Sequence, residues 1–261
     1  PAATAQTPQL QHYAVDVGQG DCSLFILPDG QTIVIDAGPE KSAKKMVRYL
    51  KSCGVKRVDL LVATHPHEDH IGGMGELLSA FPVGKVWDSG YNHGSRIQRD
   101  FYRAIKDRKI AFGRPKRGFS EEFGAVRVEV LAPAKRLKDT HSDANNNGLV
   151  LLVTYGDISF LMTGDMEKEE RATIAPLPRA AVLKAAHHGS RNGTDKKTLR
   201  EVSPEIIIIS YAAGNSYGHP HKEVVRAVRE AGVRRFDTAD GAVKLRTDGK
   251  SITFERKRVV K

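Results

Sequence analysis

Cysteine is scarce: the 261 residues include two, Cys22 and Cys53. Two thiols cannot build a disulfide framework, and neither stands in a Cys-x-x-Cys motif. One bridge between them is arithmetically open, with two free thiols the favoured expectation. Long apolar runs are missing as well. No stretch approaches the roughly 20 residues that a membrane-spanning helix needs. There is no Gly/Ser-rich linker and no short-period repeat, which argues against a string of modules. Carboxylates are outnumbered, with 31 Asp and Glu against 41 Lys and Arg and a net charge of +10. A surplus that basic suits a polyanionic partner, nucleic acid or an acidic membrane surface, as well as a merely soluble surface.

What is present reads as a globular chain, 40% hydrophobic and 28% charged. Residues 1–9 are small and polar and are expected to form a disordered tail, with 10–261 a single domain. The sequence begins at Pro1, so either a leader has been removed or the chain is a piece of a longer protein. An exported location is slightly favoured over a cytoplasmic one, and a monomer over an oligomer. Alternating patterns predict strands at 13–17, 23–27 and 32–36, then a helix over 41–52 that turns Ala43, Met46, Val47 and Leu50 to one face. Leu60-Leu61-Val62-Ala63 reads as a buried strand. A helix at 74–81, a strand at 83–87 and a basic helix over 95–109 follow.

In the second half, strands at 126–131, 149–154 and 158–163 are expected, the last two closing a hairpin at Tyr155-Gly156-Asp157. Helices at 167–174, after Thr194 and at 221–231 alternate with strands at 181–186 and 205–210. Two short strands end the chain. Strands with helices in both halves predict an α/β (α+β) architecture of two sheets packed together, helices outside.

Chemistry concentrates in His65-Pro66-His67-Glu68-Asp69-His70, directly after the apolar strand. Three of the chain's ten histidines and an aspartate in six residues make a metal-ligand constellation. Histidines at i and i+2 of an extended turn can point to one side. Asp69 and His70 fall on the next bend and can serve a second ion.

This His-x-His-x-Asp-His string resembles the signature of the metallo-β-lactamase-fold hydrolases, and the two-halved pattern agrees with their four-layer αββα sandwich. The resemblance runs from about residue 10 to 256. It implies His65, His67, Asp69 and His70 as metal ligands, and Asp165, ending Phe160-Leu161-Met162-Thr163-Gly164-Asp165, as the carboxylate that bridges two metals. Asp36 matches an early aspartate that holds the histidine loop by hydrogen bonds without being a ligand. His219 matches the last histidine ligand, with His221 as the alternative. Members usually place another histidine shortly before the hairpin. Here Asn145-Asn146-Asn147 occupies that place and His141 comes early, so the first site is expected to be weaker, or completed by water or His187.

Four strings narrow the resemblance: Asp16-Val17-Gly18-Gln19-Gly20-Asp21, the asparagine run, Leu183-Lys184-Ala185-Ala186-His187-His188-Gly189-Ser190, and Gly214-Asn215-Ser216-Tyr217-Gly218-His219-Pro220. Together they are similar to the soluble C-terminal domain of ComEC-type competence proteins and their free-standing relatives, which implies DNA as the substrate. The implied cofactor is a pair of divalent ions, Zn or Mn.

Two ions about 3.5–4 Å apart can clamp the attacking and leaving oxygens of a phosphoryl displacement. A two-metal phosphodiesterase acting on DNA is therefore expected. The alternatives are a hydrolase of a small ester, lactone or β-lactam, and a non-catalytic metal- and DNA-binding module. For catalysis, Asp69 is expected to orient water, His188 to act as general acid, and Lys184 to neutralise phosphate. Ser190, Arg191, Asn192 and Asn215 are the candidate substrate contacts. The densest cationic stretch runs from Arg96, Arg99, Arg103, Lys106, Arg108 and Lys109 to Arg114, Lys116 and Arg117. Tyr91, Phe101, Tyr102 and Phe112 are interleaved with it, a mixture that suits a nucleic-acid groove, with Phe101 assigned to packing.

Overall fold

A computed structural model describes residues 8–255; of the expected tail, only the exposed Pro8 and Gln9 fall within them. Strands β1 (Leu10–Ala14), β2 (Ser23–Ile26) and β3 (Thr32–Ile35) form an antiparallel meander. Helix α1 (Ala43–Ser52) crosses over to β4 (Val58–Ala63), which lies parallel to β3. The short α2 (Glu68–Ile71) carries half of the histidine motif, and α3 (Met74–Ala80) leads to β5 (Val83–Asp88). Helix α4 (Arg96–Asp107) leads to β6 (Ala111–Gly113), and β4, β5 and β6 run parallel.

The next four strands, β7 (Ser120–Phe123), β8 (Val126–Ala132), β9 (Val150–Tyr155) and β10 (Ile158–Met162), are antiparallel. Helix α5 (Lys168–Ile174) then precedes β11 (Val182–Lys184), α6 (Lys196–Val202) precedes β12 (Ile206–Ile209), and α7 (Lys222–Glu230) precedes β13 (Arg234–Asp237). These crossovers make β10 through β13 parallel. Last, β14 (Val243–Thr247) and β15 (Ile252–Glu255) return to the first sheet, β14 pairing with β1.

One sheet has the order β15-β14-β1-β2-β3-β4-β5-β6 and the other β13-β12-β11-β10-β9-β8-β7. Their facing sides bury Phe25, Ile33, Leu60 and Val62 against Val128, Leu151, Phe160 and Ile208. Leu61 of β4 instead turns to the outer layer, where Met46, Leu50, Met74 and Phe101 of the helices cover it. A strand buried on both faces has no room for polar side chains, which is why β4 reads as an unbroken apolar run from Leu60 to Ala63. On the other side, Leu199, Val202, Val224 and Val228 cover Leu161, Leu183 and Ile207. The result is two sheets with helices outside both. Phe101 is core, as expected. Cys22 and Cys53 are not joined in a disulfide. No helix among the described residues is long and apolar enough to cross a membrane.

The structure moves the first strand from 13–17 to Leu10–Ala14 and adds three that the pattern misses: β6, β7 and β13. Each gives little apolar periodicity. Ser120-Glu121-Glu122-Phe123 and Arg234-Arg235-Phe236-Asp237 bury one phenylalanine apiece.

Candidate metal centre

The carboxyl ends of β3, β4, β10 and β11 open at one end of the sandwich, where loops of both sheets meet. After β3 the chain turns at Asp36 in a left-handed conformation, φ 60°. Its carboxylate accepts hydrogen bonds from the Thr64 N–H (2.9 Å), the Thr64 hydroxyl (2.7 Å) and His70 Nδ1 (2.7 Å). One acid therefore fixes both ends of the histidine loop and leaves His70 Nε2 facing inward. Asp165 receives it: Oδ1 lies 3.2 Å from His70 Nε2. Its Oδ2 lies 3.5 Å from His188 Nε2, 3.7 Å from His187 Nε2 and 3.8 Å from His65 Nε2. His67 closes the ring through Nδ1, 3.1 Å from His65 Nε2.

His187 and His188 both have left-handed backbones, φ 49° and 52°, so neighbouring residues send both rings into the site. The Nδ1 of His188 donates to the Ser210 carbonyl (2.9 Å), and its Nε2 reaches Asp69 Oδ2 at 3.1 Å. Asp21 joins from the loop after β1, its N–H donating to the Asp69 carbonyl (3.1 Å). Ligand-type atoms of Asp21, His70, Asp165 and His188 all lie within 4.8 Å of one another, a group that could hold an ion.

Charge balance is strained in a way that suits a cation. Burial opposes the charged form of His70, yet Asp165, Asp36 and Asp69 raise its pKa well above the ordinary imidazole value. Burial likewise opposes an ionised Asp165, but His188, His70 and His187 hold it well below the usual carboxylate range. Asp69 is held low, against burial, by His70 and His188. His65 goes the other way: burial, then the charge on His70, push it well down and keep its ring neutral. His70 Nε2 and Asp165 Oδ1 are buried and, among the described residues, have only their 3.2 Å ion pair with each other, with no further polar partner. Paired imidazolium and carboxylate groups stand in for a positive ion here. A nitrogen-and-carboxylate donor set of this kind fits a divalent metal.

A model of the metallo-beta-lactamase superfamily matches residues 15–212. The chain belongs to that superfamily. It is 29% identical over 263 aligned positions to ComE operon protein 3 of Bacillus subtilis, covering 92% of this chain and 33% of that protein. Competence protein ComA of Neisseria gonorrhoeae is 30% identical over 252 positions, 94% of this chain and 33% of its own length. The chain thus spans about a third of either relative. Among solved structures, the metallo-beta-lactamase fold protein YhfI of Bacillus subtilis superposes with a TM-score of 0.61 at 14% identity, covering 88% of this chain and 96% of that one. That likeness concerns the fold.

Around a cleft of about 760 Å3 stand His67, Asp69, Asp165, His187 and His188, with His65 and His70 buried behind them. Two residues stand elsewhere than expected. His188, expected as the acid, bonds the Ser210 carbonyl through Nδ1 and meets Asp69 and Asp165 through Nε2. His219, expected as a ligand, stands toward the rim, its ring 5.4 Å from His187 and 6.1 Å from His188. Burial, then His187 and His188, lower its pKa to about 4. His221 turns away, its Nδ1 accepting from the Arg191 N–H at 3.0 Å.

Lys184 does not line the cleft. It is buried, ion-paired with Asp21, and donates to the Gly164 carbonyl at 3.1 Å. Ser190, Arg191 and Asn192 do not line the cleft: the Ser190 N–H bonds the His187 carbonyl, and Arg191 reaches Glu223 at 3.6 Å. Asn215 does line it, but its amide is tied to the backbone of Ala212, Tyr217 and His219, so it shapes the loop that carries His219.

The asparagine run braces rather than ligates. Asn145 and Asn146 donate to the buried Glu167 at 3.3 and 3.2 Å, and Glu167 also faces His187 Nδ1 (3.1 Å) and His141 Nδ1 (3.3 Å). Sequence reasoning gave no role to Asp21 or Glu167. Asp21 closes one of the four distinctive strings, the signal that could have marked it. Several α4 cations are already satisfied, Arg96 by Glu40 and Asp100, Arg103 by Asp100.

Proposed function

We propose that this chain is a two-metal phosphodiesterase acting on DNA. The observation that carries the proposal is Asp165, a buried carboxylate whose two oxygens face different imidazoles, as a shared ligand must. His65, His67 and His187 would hold one ion, and Asp69, His70 and His188 the other, with Asp165 common to both. Lys184 and Asp21 supply a buried counter-charge pair behind the second set. Metal ions, when bound, supply Lewis acidity and make water acidic enough to attack at neutral pH.

The remaining work falls to side chains. Asp69 is held ionised at the cleft wall, where it orients an attacking water and takes its proton. His219 lines the same cleft, and its Nδ1 has no partner among the described residues, so the ring is free to hydrogen-bond a leaving oxygen. Glu167, through His187, fixes which nitrogen of that ring faces Asp165. The competence name of one relative and the cleft's row of nitrogen and carboxylate donors favour a phosphodiester over a lactam. The test is digestion of labelled single- and double-stranded DNA with Mn, Zn or Mg, beside bis-p-nitrophenyl phosphate and a chromogenic lactam. Metal-dependent cleavage of DNA and of the phosphodiester is expected, lost in Asp165→Asn. Turnover of the lactam alone, or cleavage that survives in Asp165→Asn, would overturn the assignment.

A further inference from the structure

Beside the metal cleft lies a second groove of about 490 Å3, walled by residues 89–90, 114–116 and 133–138 with Asn147 behind them. Five cations line it: Arg114, Lys116, Lys135, Arg136 and Lys138. No carboxylate does. We propose that this groove binds the phosphate backbone of the polynucleotide strand that enters the cleft; the idea rests on the phosphodiesterase reading and names where its substrate is held.

The five side chains are exposed, and among the described residues none makes an ion pair within 4 Å or a side-chain hydrogen bond. The two acids that feel these arginines are committed elsewhere. Asp88, which feels Arg114, accepts from the Gly90 N–H and the Tyr102 hydroxyl. Asp143, which feels Arg136, accepts from the Thr140 N–H and hydroxyl. This contrasts with α4, whose Arg96 and Arg103 have carboxylate partners. Unpaired like charges collected in one concavity repel one another, and an anion laid between them relieves that repulsion.

Two of the cations are already oriented. The Arg136 guanidinium lies over the Tyr91 ring at 4.5 Å, and that of Arg114 over Phe112 at 5.3 Å and Tyr102 at 5.9 Å. Stacking fixes the guanidinium plane while its N–H edges stay free, the arrangement that meets phosphate oxygens with little further ordering. The wall itself is pinned. Asn147, buried, accepts from the Leu137 N–H (2.8 Å) and donates to the carbonyls of Leu137 (3.0 Å) and Asp143 (2.7 Å). The third asparagine of the run therefore shapes the groove as the first two shape the cleft.

Both walls continue into the metal site. Tyr91 lies under Arg136, and two residues on, the His93 ring is 5.5 Å from that of His67. On the other wall, Asn145 lines the cleft and Asn147 the groove. A strand lying in the groove thus runs to the His67 side of the centre, and a repeating polyanion fits this continuity better than a single free phosphate.

The probe is a fluorescein-labelled 20-residue thymidine oligonucleotide, titrated with the full chain by anisotropy in EDTA so that cleavage is absent. A variant with Arg114→Gln, Lys135→Gln and Arg136→Gln is expected to bind at least tenfold more weakly. Its slope of log K against log salt should fall by about 2, from ~0.7 per lost single-strand contact. A control with Lys44→Gln, Arg48→Gln and Lys51→Gln on α1 removes the same charge and should change affinity less than twofold. A charge-keeping variant, Arg114→Lys with Lys135→Arg and Arg136→Lys, should bind between the wild type and the Gln variant with the wild-type salt slope, which separates lost charge from a folding defect. Equal weakening in the groove and control variants, or none in either, overturns the groove. So does full displacement of the oligonucleotide by millimolar inorganic phosphate. Should the wild type fail to hydrolyse bis-p-nitrophenyl phosphate with metal while the groove variant still loses the oligonucleotide, the groove stands and the phosphodiesterase reading falls.

Discussion

Asp36 never touches the cleft, yet it holds Thr64 and His70 with three hydrogen bonds and keeps the His70 ring aimed at Asp165. Replacing it by Asn keeps the shape but turns one acceptor into a donor that faces the His70 N–H. Partners that orient a ligand in this way are worth about 10–100-fold in metal affinity or activity, and Asp36→Asn should lose that much by isothermal titration with Zn or Mn. Unchanged affinity would mean that the ring is held by packing alone. A different histidine contributes to acid stability. His12 is buried between Phe25 and Phe160, both nitrogens without a partner among the described residues, and burial lowers its pKa to about 3. Its folded pKa lies below the unfolded one, so the unfolded chain binds the proton first. Stability is complete above the unfolded value near 6.5 and falls as pH drops toward 3, by about 1.4 kcal/mol per unit from this group. Urea unfolding at pH 7.5 and 5 should show a loss in the wild type that is smaller by His12's share in His12→Phe, whose ring suits the same aromatic pocket.

At the level of elements, the sandwich was legible wherever periodicity was strong. The α1 stripe, the hairpin of β9 and β10, and β4 running into its histidines all follow from local pattern. β6, β7 and β13 did not show, because short strands at or near a sheet edge bury too little to leave a pattern. The site divided along the same line. The histidine motif is contiguous and could be read directly, whereas Asp21 is brought in by the pairing of β1 with β2. The turn of both His187 and His188 into the site depends on left-handed backbone at two non-glycine residues, which spacing does not encode. The loop that carries Asp21 also depends on Gly20. With φ 146°, a Cβ there would lie 2.3 Å from the Asp69 carbonyl oxygen and 2.9 Å from Pro39. Gly20→Ala should therefore push the loop off α2, break the bond from Asp21 to Asp69, and cost about 1–3 kcal/mol as overpacking does. Gly18, also left-handed, has open space around its Cβ position. Gly18→Ala should show backbone strain alone in urea unfolding and leave metal affinity intact. Equal loss of metal affinity in both variants would count against the contact.

Across the whole molecule, the centre is where the two sheets are joined by charge rather than by apolar packing. The first sheet's loops bring Asp21, Asp36, His65, His67, Asp69 and His70; the second's bring Asp165, His187 and His188. Without metal, histidine–carboxylate contacts hold this seam, and four of them end at Asp165. An ion bound across the seam stabilises the folded chain by mass action, about 2.7 kcal/mol when its free concentration is a hundred times Kd. For a chain of this size that corresponds to a rise in Tm of roughly 5–10 °C. Thermal unfolding in EDTA and in a divalent-ion buffer should show that difference for the wild type. Asp165→Asn should lose most of it, since each ion forfeits the carboxylate that both share, whereas the groove variant, whose cations stand outside the seam, should keep it whole. If wild type and Asp165→Asn rise equally, the ions bind elsewhere and the seam is held by its own charges alone.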